Sequence, residues 1–238
     1  MAVPTKLITL ILIVLALPTS GMGQQARSVS ELVEQFQNTR VFWRQFDVAK
    51  QLVALHDTSV FQKLAPDLKD DDRHLRGNAA FVFASLGDYR GFEVIKAILD
   101  DRSERPEGQG IPGGRWSVGA QISADRYYAV HLFGDLKDRR AVPILIPLLP
   151  DPQVSYIVPW ALGEIGDKSA VDPLIQRLSD KNPDMRVLAV YALEKLRAKE
   201  ALPHLRVLLD DNEEIHFDGL GTVSEAAKGA IANLEVMR

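Results

Sequence analysis

The sequence predicts an all-α solenoid of about six helical hairpins. Three observations predict it. Pro143, Pro173 and Pro203 stand thirty residues apart, and each opens a short apolar segment that ends in a polar turn: PILIPLLPD, PLIQRLSD and PHLRVLLDD. A second apolar-periodic segment follows each turn. These close at Ile165, Leu196 and Leu234, with equivalent closures upstream at Leu55, Leu86 and Leu136. A junction recurs after three of the closures, as LGDYRG (86–91), IGDKSA (165–170) and LRAKEA (196–201), with FGDLKDRRA (133–141) as a variant. Such a period marks stacked supersecondary units, because one hairpin cannot bury its own apolar face.

The composition agrees with a globular chain. Of 238 residues, 46% are hydrophobic and 25% charged. The net charge is −4 and no Lys/Arg run occurs, which argues against a nucleic-acid partner. There is no cysteine, so disulfides, cysteine nucleophiles, thiolate metal sites and a lipoprotein anchor are excluded.

Residues 1–23 read as a secretory leader. Lys6 supplies the positive start, Leu7–Leu17 is an unbroken apolar run (LITLILIVLAL), Pro18 breaks it, and the small residues Thr19, Ser20, Gly21 and Gly23 follow. As a helix that run covers roughly 16 Å, short of a hydrocarbon core of about 30 Å. Cleavage is expected after Gly23. Residues 24–238 then form the repeat domain of a bacterial periplasmic or secreted protein, with no membrane span after cleavage. An exported chain without cysteine suits the bacterial periplasm.

The six units fall at about 28–57, 58–88, 89–137, 138–167, 168–198 and 199–236. Proline near the start of a first helix suits the first turn, where a missing N–H costs nothing. Asp or Ser at the turn can cap the second helix, and Gly87 and Gly166 suit helix C-termini. In the fifth unit, Met185, Ala189, Ala192, Leu193 and Leu196 share one face, and the small alanines let neighbouring helices approach. The fourth unit is predicted to bend, since Pro147 and Pro159 would interrupt its helices. The third carries an insertion of about nineteen residues at 101–118, DRSERPEGQGIPGGRWSV, whose two prolines and four glycines forbid regular structure. A smaller insertion falls within 213–222 of the sixth. Stacked in register, both insertions project from one edge.

The pattern resembles the HEAT-like repeats, in particular the short bacterial type related to bilin-lyase proteins. Ala141–Asp151 (AVPILIPLLPD) matches the first half of that pattern, and Ala161–Asp167 (ALGEIGD) the end of the second. Arg186 followed by Ala189, Ala192 and Leu193 matches its centre. The resemblance implies a right-handed, HEAT/armadillo-like superhelix. It also implies a class of protein that handles a small prosthetic group. The leader argues against that class, because bilin attachment is intracellular.

Two sets of residues are candidates for binding. Aligning the second helices on their closing residue puts Phe81, His131, Trp160 and Tyr191 at one position, with Tyr127 and Tyr156 a turn earlier. Exposed, these rings would form a binding stripe along the second helices; otherwise they pack between hairpins. The insertion adds Arg102, Arg105, Arg115 and Trp116 in an acidic chain. A third column, Arg76, Arg126 and Arg186, reads as a structural ladder onto neighbouring aspartates, and Ser155 breaks it in the fourth unit.

No catalytic or metal motif appears. The five histidines form no paired motif, although His131 and Asp135 are spaced to share a helix face. Asp210, Asn212 and Glu214 alternate as in a calcium loop, but Ile215 and Gly221 stand where Gly and Glu are needed. The glycines of 108–114 lack a following Gly-Lys-Ser/Thr. The sequence therefore points to a non-catalytic scaffold without a cofactor, binding another protein or peptide. The alternatives are a lyase- or chaperone-like protein for a small prosthetic group, or a structural subunit of an envelope assembly.

Overall fold

The computed structural model describes residues 27–103, 118–216 and 221–237. Among them the chain is all-helical, and the twelve α-helices pair as successive hairpins. These are α1 (Val29–Asn38) with α2 (Phe42–Ala54), α3 (Val60–Leu64) with α4 (Arg73–Ser85), and α5 (Tyr89–Asp100) with α6 (Val118–Leu136). There follow α7 (Val142–Leu145) with α8 (Val158–Ile165), α9 (Val171–Arg177) with α10 (Pro183–Lys195), and α11 (Leu202–Val207) with α12 (Val223–Val236). Second helices pack on second helices, in the order α2, α4, α6, α8, α10, α12. The protein is an α-solenoid. The leader, most of the third-unit insertion and residues 217–220 lie outside the described residues.

Local chemistry sets the helix limits. Ser28 and Glu31 form a reciprocal capping box on α1, as Thr222 and Glu225 do on α12. Asp72 caps α4 and Asn182 caps α10. Each of the first five second helices ends on one left-handed residue: His56, Gly87, Lys137, Gly166 and Arg197, with φ between 52° and 89°. Each stands directly after the closing residue that the sequence marks, so the junction motif is a helix stop.

The core is the shared face of these hairpins. Leu132, Phe133, Leu162, Val190 and Leu193 are fully buried along the second helices, and Ala141, Ala170 and Ala201 are fully buried where each first helix begins. Every such Leu or Phe contributes about 1.5–3 kcal/mol over its exposed state. The closest packing is at Gly91, where a Cβ would lie 2.2 Å from the Ala80 carbonyl oxygen. Only glycine lets α5 sit that near α4.

The fourth unit differs from expectation at one proline. Pro159 does not interrupt a helix; it stands in the first turn of α8, which starts late at Val158. Pro147 does mark a break, where α7 gives way to a 3-10 turn at Ile146–Leu148.

Candidate functional site: an aromatic cavity between α2 and α6

A long helix builds the site. α6 runs for 19 residues, against 13 in α4 and in α10. The surplus lies at its N-terminal end, where the insertion returns. Buried charge pins both stems. Arg73, the first residue of α4, donates from Nη1 to Asp125 of α6 at 2.8 Å, and from Nη2 to Asp101 at 2.7 Å and to the Ser103 carbonyl at 2.9 Å. Burial pushes the Asp101 carboxyl up, but its bonds from Ser103 and the Arg73 guanidinium win and hold it below the usual carboxylate range.

The raised turns of α6 face the start of α2. Between them lies a cavity of about 550 Å³, lined by Phe42, Trp43 and Phe46 of α2, by Ala120, Ser123, Ala124, Tyr127, Tyr128 and His131 of α6, and by His74 and Gln153. Aromatic contacts continue through it. Phe42 stacks on His74 at 4.6 Å and meets Tyr128 edge-on at 5.2 Å, while His131 stacks on Trp160 at 4.6 Å. Trp43 and Tyr127 remain 60% and 44% exposed. They offer ring faces to whatever enters.

A buried polar chain fixes the floor. The Tyr128 hydroxyl donates to Asn78 Oδ1. The Asn78 amide donates to Gln45 Oε1 at 2.8 Å and to the Phe42 carbonyl at 3.0 Å, and Gln45 donates to the last turn of α1 through the Phe36 carbonyl at 3.0 Å. Four helices are tied by fully partnered groups. Burial holds the Tyr128 hydroxyl far above its ordinary pKa, so it stays a neutral donor. At the rim, Gln153 Oε1 accepts from both Arg102 and Arg126 at 2.6 Å.

The structure divides the sequence's candidates. Tyr127 and His131 line the cavity and Trp160 backs it. Arg102 stands exposed at the rim. Phe81 corrects the stripe: it is 5% exposed and packed edge-on to Phe46 at 4.8 Å, so the column is not continuous. Tyr156 and Tyr191 are exposed away from the cavity, Tyr156 accepting from Asn182 and Tyr191 in a groove beside α12. Arg105, Arg115 and Trp116 lie outside the described residues. Phe42, Trp43, Phe46, His74, Tyr128 and Gln153 are residues that sequence reasoning missed. The run FWRQF (42–46) was their signal: three rings within one helical turn of a chain with 7% aromatics.

The arginine column is a ladder. Each member reaches the aspartate twenty-five residues on: Arg126 to Asp151 at 2.7 Å, Arg186 to Asp211 at 2.8 Å, and Arg76 to Asp101 at 4.0 Å. Where Ser155 replaces it, Arg177 takes Asp180 instead. Among the described residues no three potential ligands gather as a metal site.

Comparison with known proteins bears on this geometry. The HEAT-repeat family matches residues 142–216. Residues 142–216 are HEAT-like repeats. The chain's HEAT-like repeats are related to those of bilin lyases. The phycocyanobilin lyase subunit alpha of Picosynechococcus sp. is 37% identical over 95 residues, 35% of this chain and 35% of that one. The bilin biosynthesis protein PecE of Mastigocladus laminosus is 30% identical over 151 residues, 62% of this chain and 51% of that one. The chain thus spans about half the length of these curated relatives, or less. Among solved structures, the complex of CpcE and CpcF of phycocyanin lyase from Nostoc sp. aligns with a TM-score of 0.48 at 19% identity, over 90% of this chain and 79% of that one. A designed armadillo repeat protein aligns with a TM-score of 0.43 at 18% identity, over 87% and 100%. The relatives overturn one expectation. A non-catalytic chain does not fit homologues named as lyase and biosynthesis subunits. The cavity was illegible in the sequence because no motif marks it and its walls assemble only in space.

Proposed function

We propose that the protein is a lyase-type subunit that holds a linear tetrapyrrole in the α2–α6 cavity and presents it to a protein partner. One observation carries the reading: an aromatic cavity of about 550 Å³ in a chain related over 151 residues to a bilin biosynthesis protein. Flat conjugated groups bind by stacking on ring faces, and Trp43, Tyr127 and Phe42 supply them. The exposed Arg102 guanidinium beside Gln153 suits a ligand with carboxylate arms. The name of a relative as one lyase subunit supports a protein partner.

Titration with biliverdin, a linear tetrapyrrole, tests it by absorption. The intact chain is expected to give a saturable change at one equivalent. Trp43→Ala weakens binding by about tenfold, as loss of an aromatic anchor does, and Ala124→Trp, which fills the cavity, abolishes it. No saturable change, or full binding by Ala124→Trp, contradicts the reading. Export belongs to the same proposal, which is of holding and presenting a pigment and not of attaching it inside the cell. The Leu7–Leu17 run supports a leader cut after Gly23 and a periplasmic or secreted protein. Mass spectrometry of the protein recovered from the envelope is expected to show Gln24 as the first residue. An N-terminus retaining Leu7–Leu17 contradicts it. No helix among the described residues is long and apolar enough to cross a membrane.

A further inference from the structure

His131 lines the cavity and also meets Asp135 on its own helix. Its Nδ1 lies 2.9 Å from Asp135 Oδ2 as a close ion-pair contact, and both atoms are sealed from solvent with no hydrogen bond of good geometry to any group. A carboxylate at that distance favours the tautomer with the proton on Nδ1, and in a neutral ring the lone pair then stands on Nε2. About a third of the side chain is exposed, and the residue lines the cavity. Stacking on Trp160 at 4.6 Å holds the ring plane. The pair lies one turn apart on α6, so the orientation is built into a rigid element.

We infer that His131, oriented by Asp135, is the hydrogen-bond acceptor of the cavity, presenting Nε2 to an N–H of a bound pyrrolic pigment. The inference deepens the proposed function and rests on it. A linear tetrapyrrole carries ring N–H donors along one edge. In an aromatic cavity they lose water and need an acceptor. The other titratable and charged groups around the imidazole do not take that role. Tyr128 on α6 donates to Asn78. His74 of α4 also lines the cavity, but its side chain is only 12% exposed, covered by the Phe42 and Tyr128 rings, with Nδ1 toward Asp72. Lys50 of α2 sits over Phe46 and pairs with Asp47. Glu164 of α8 is engaged by Lys195 and Lys137.

The test is biliverdin titration of the intact chain, His131→Phe and Asp135→Asn, read as Kd and as the position of the red absorption band of the bound pigment. Phenylalanine keeps the stack on Trp160 and removes the acceptor. His131→Phe is expected to weaken binding by about tenfold or more, and to shift the red band toward that of the free pigment. Asp135→Asn, which releases the tautomer, shifts the band in the same direction. Matching thermal melts show that the variants are folded. If the intact chain binds and His131→Phe matches it in Kd and spectrum, this inference is overturned and the cavity reading stands. If the intact chain does not bind, both fall.

Discussion

Arg126 is 1% exposed, yet it carries a full charge. It is tolerated because every face of the guanidinium is met: Nε donates to the Leu99 carbonyl at 3.1 Å, Nη1 to Gln153 at 2.6 Å, and Nη2 pairs with Asp151 at 2.7 Å. The Asp151 carboxyl is held below its usual range, first by that bond. Arg126→Met is expected to destabilise the protein by about 2–4 kcal/mol, because Asp151 and a backbone carbonyl lose their partner. Urea denaturation measures it, and a loss under about 0.5 kcal/mol would show the ladder to be decorative. This column was legible from sequence as a ladder, since Arg recurs at one place in the repeat. Phe81 was not. Its column position is shared with His131 and Tyr191, but Phe46 of α2 covers it, and α2 was placed by register alone.

Helix ends carry the period. The closing residue followed by a left-handed residue recurs five times, and glycine fills the left-handed place only at 87 and 166. At Arg197, with φ 53°, the backbone bears a strain that a side chain dislikes by about 1–2 kcal/mol. Arg197→Gly is expected to stabilise the protein by about 0.5–1 kcal/mol net of glycine's entropy. An unchanged or lowered urea midpoint contradicts this. Gly91→Ala acts the other way, forcing a methyl against the Ala80 carbonyl and parting α4 from α5 at a cost of about 3 kcal/mol. Its thermal midpoint is the readout. The hairpins, their stops and the insertion points were legible because they depend on local chemistry and period. The length of α6 was not. Where its insertion ends depends on Arg73 gripping Asp101 and Asp125, residues far apart in sequence and unmarked by any motif.

At the scale of the molecule, the solenoid is joined by carboxylates that the fold keeps ionised. Asp151 is held low by Arg126, Glu164 by Lys195, and Asp101 by Ser103 and Arg73 against the pull of burial. Each binds its proton more weakly folded than unfolded, so its contribution is complete above the ordinary carboxylate values. It is lost as pH falls below about 4. Asp67, raised by burial, works in the opposite sense, one group against three. Thermal midpoints are expected to be level near neutrality and to fall steadily below about pH 4. A midpoint that held or rose there would contradict the assignment. The same stacking explains why the cavity was invisible to sequence reasoning. Its walls come from the first and third units, and only their arrangement across α4 brings FWRQF to face the raised turns of α6.

The α2–α6 cavity, and not the groove by Tyr191 or the exposed Tyr156, is the proposed pigment site. Crystallography of the mature chain with biliverdin tests it most directly. The account predicts pigment density between α2 and α6, against Trp43 and Tyr127, with a ring nitrogen within hydrogen-bond distance of His131 Nε2. Density at another place on the solenoid, with the α2–α6 cavity holding only solvent, would contradict it.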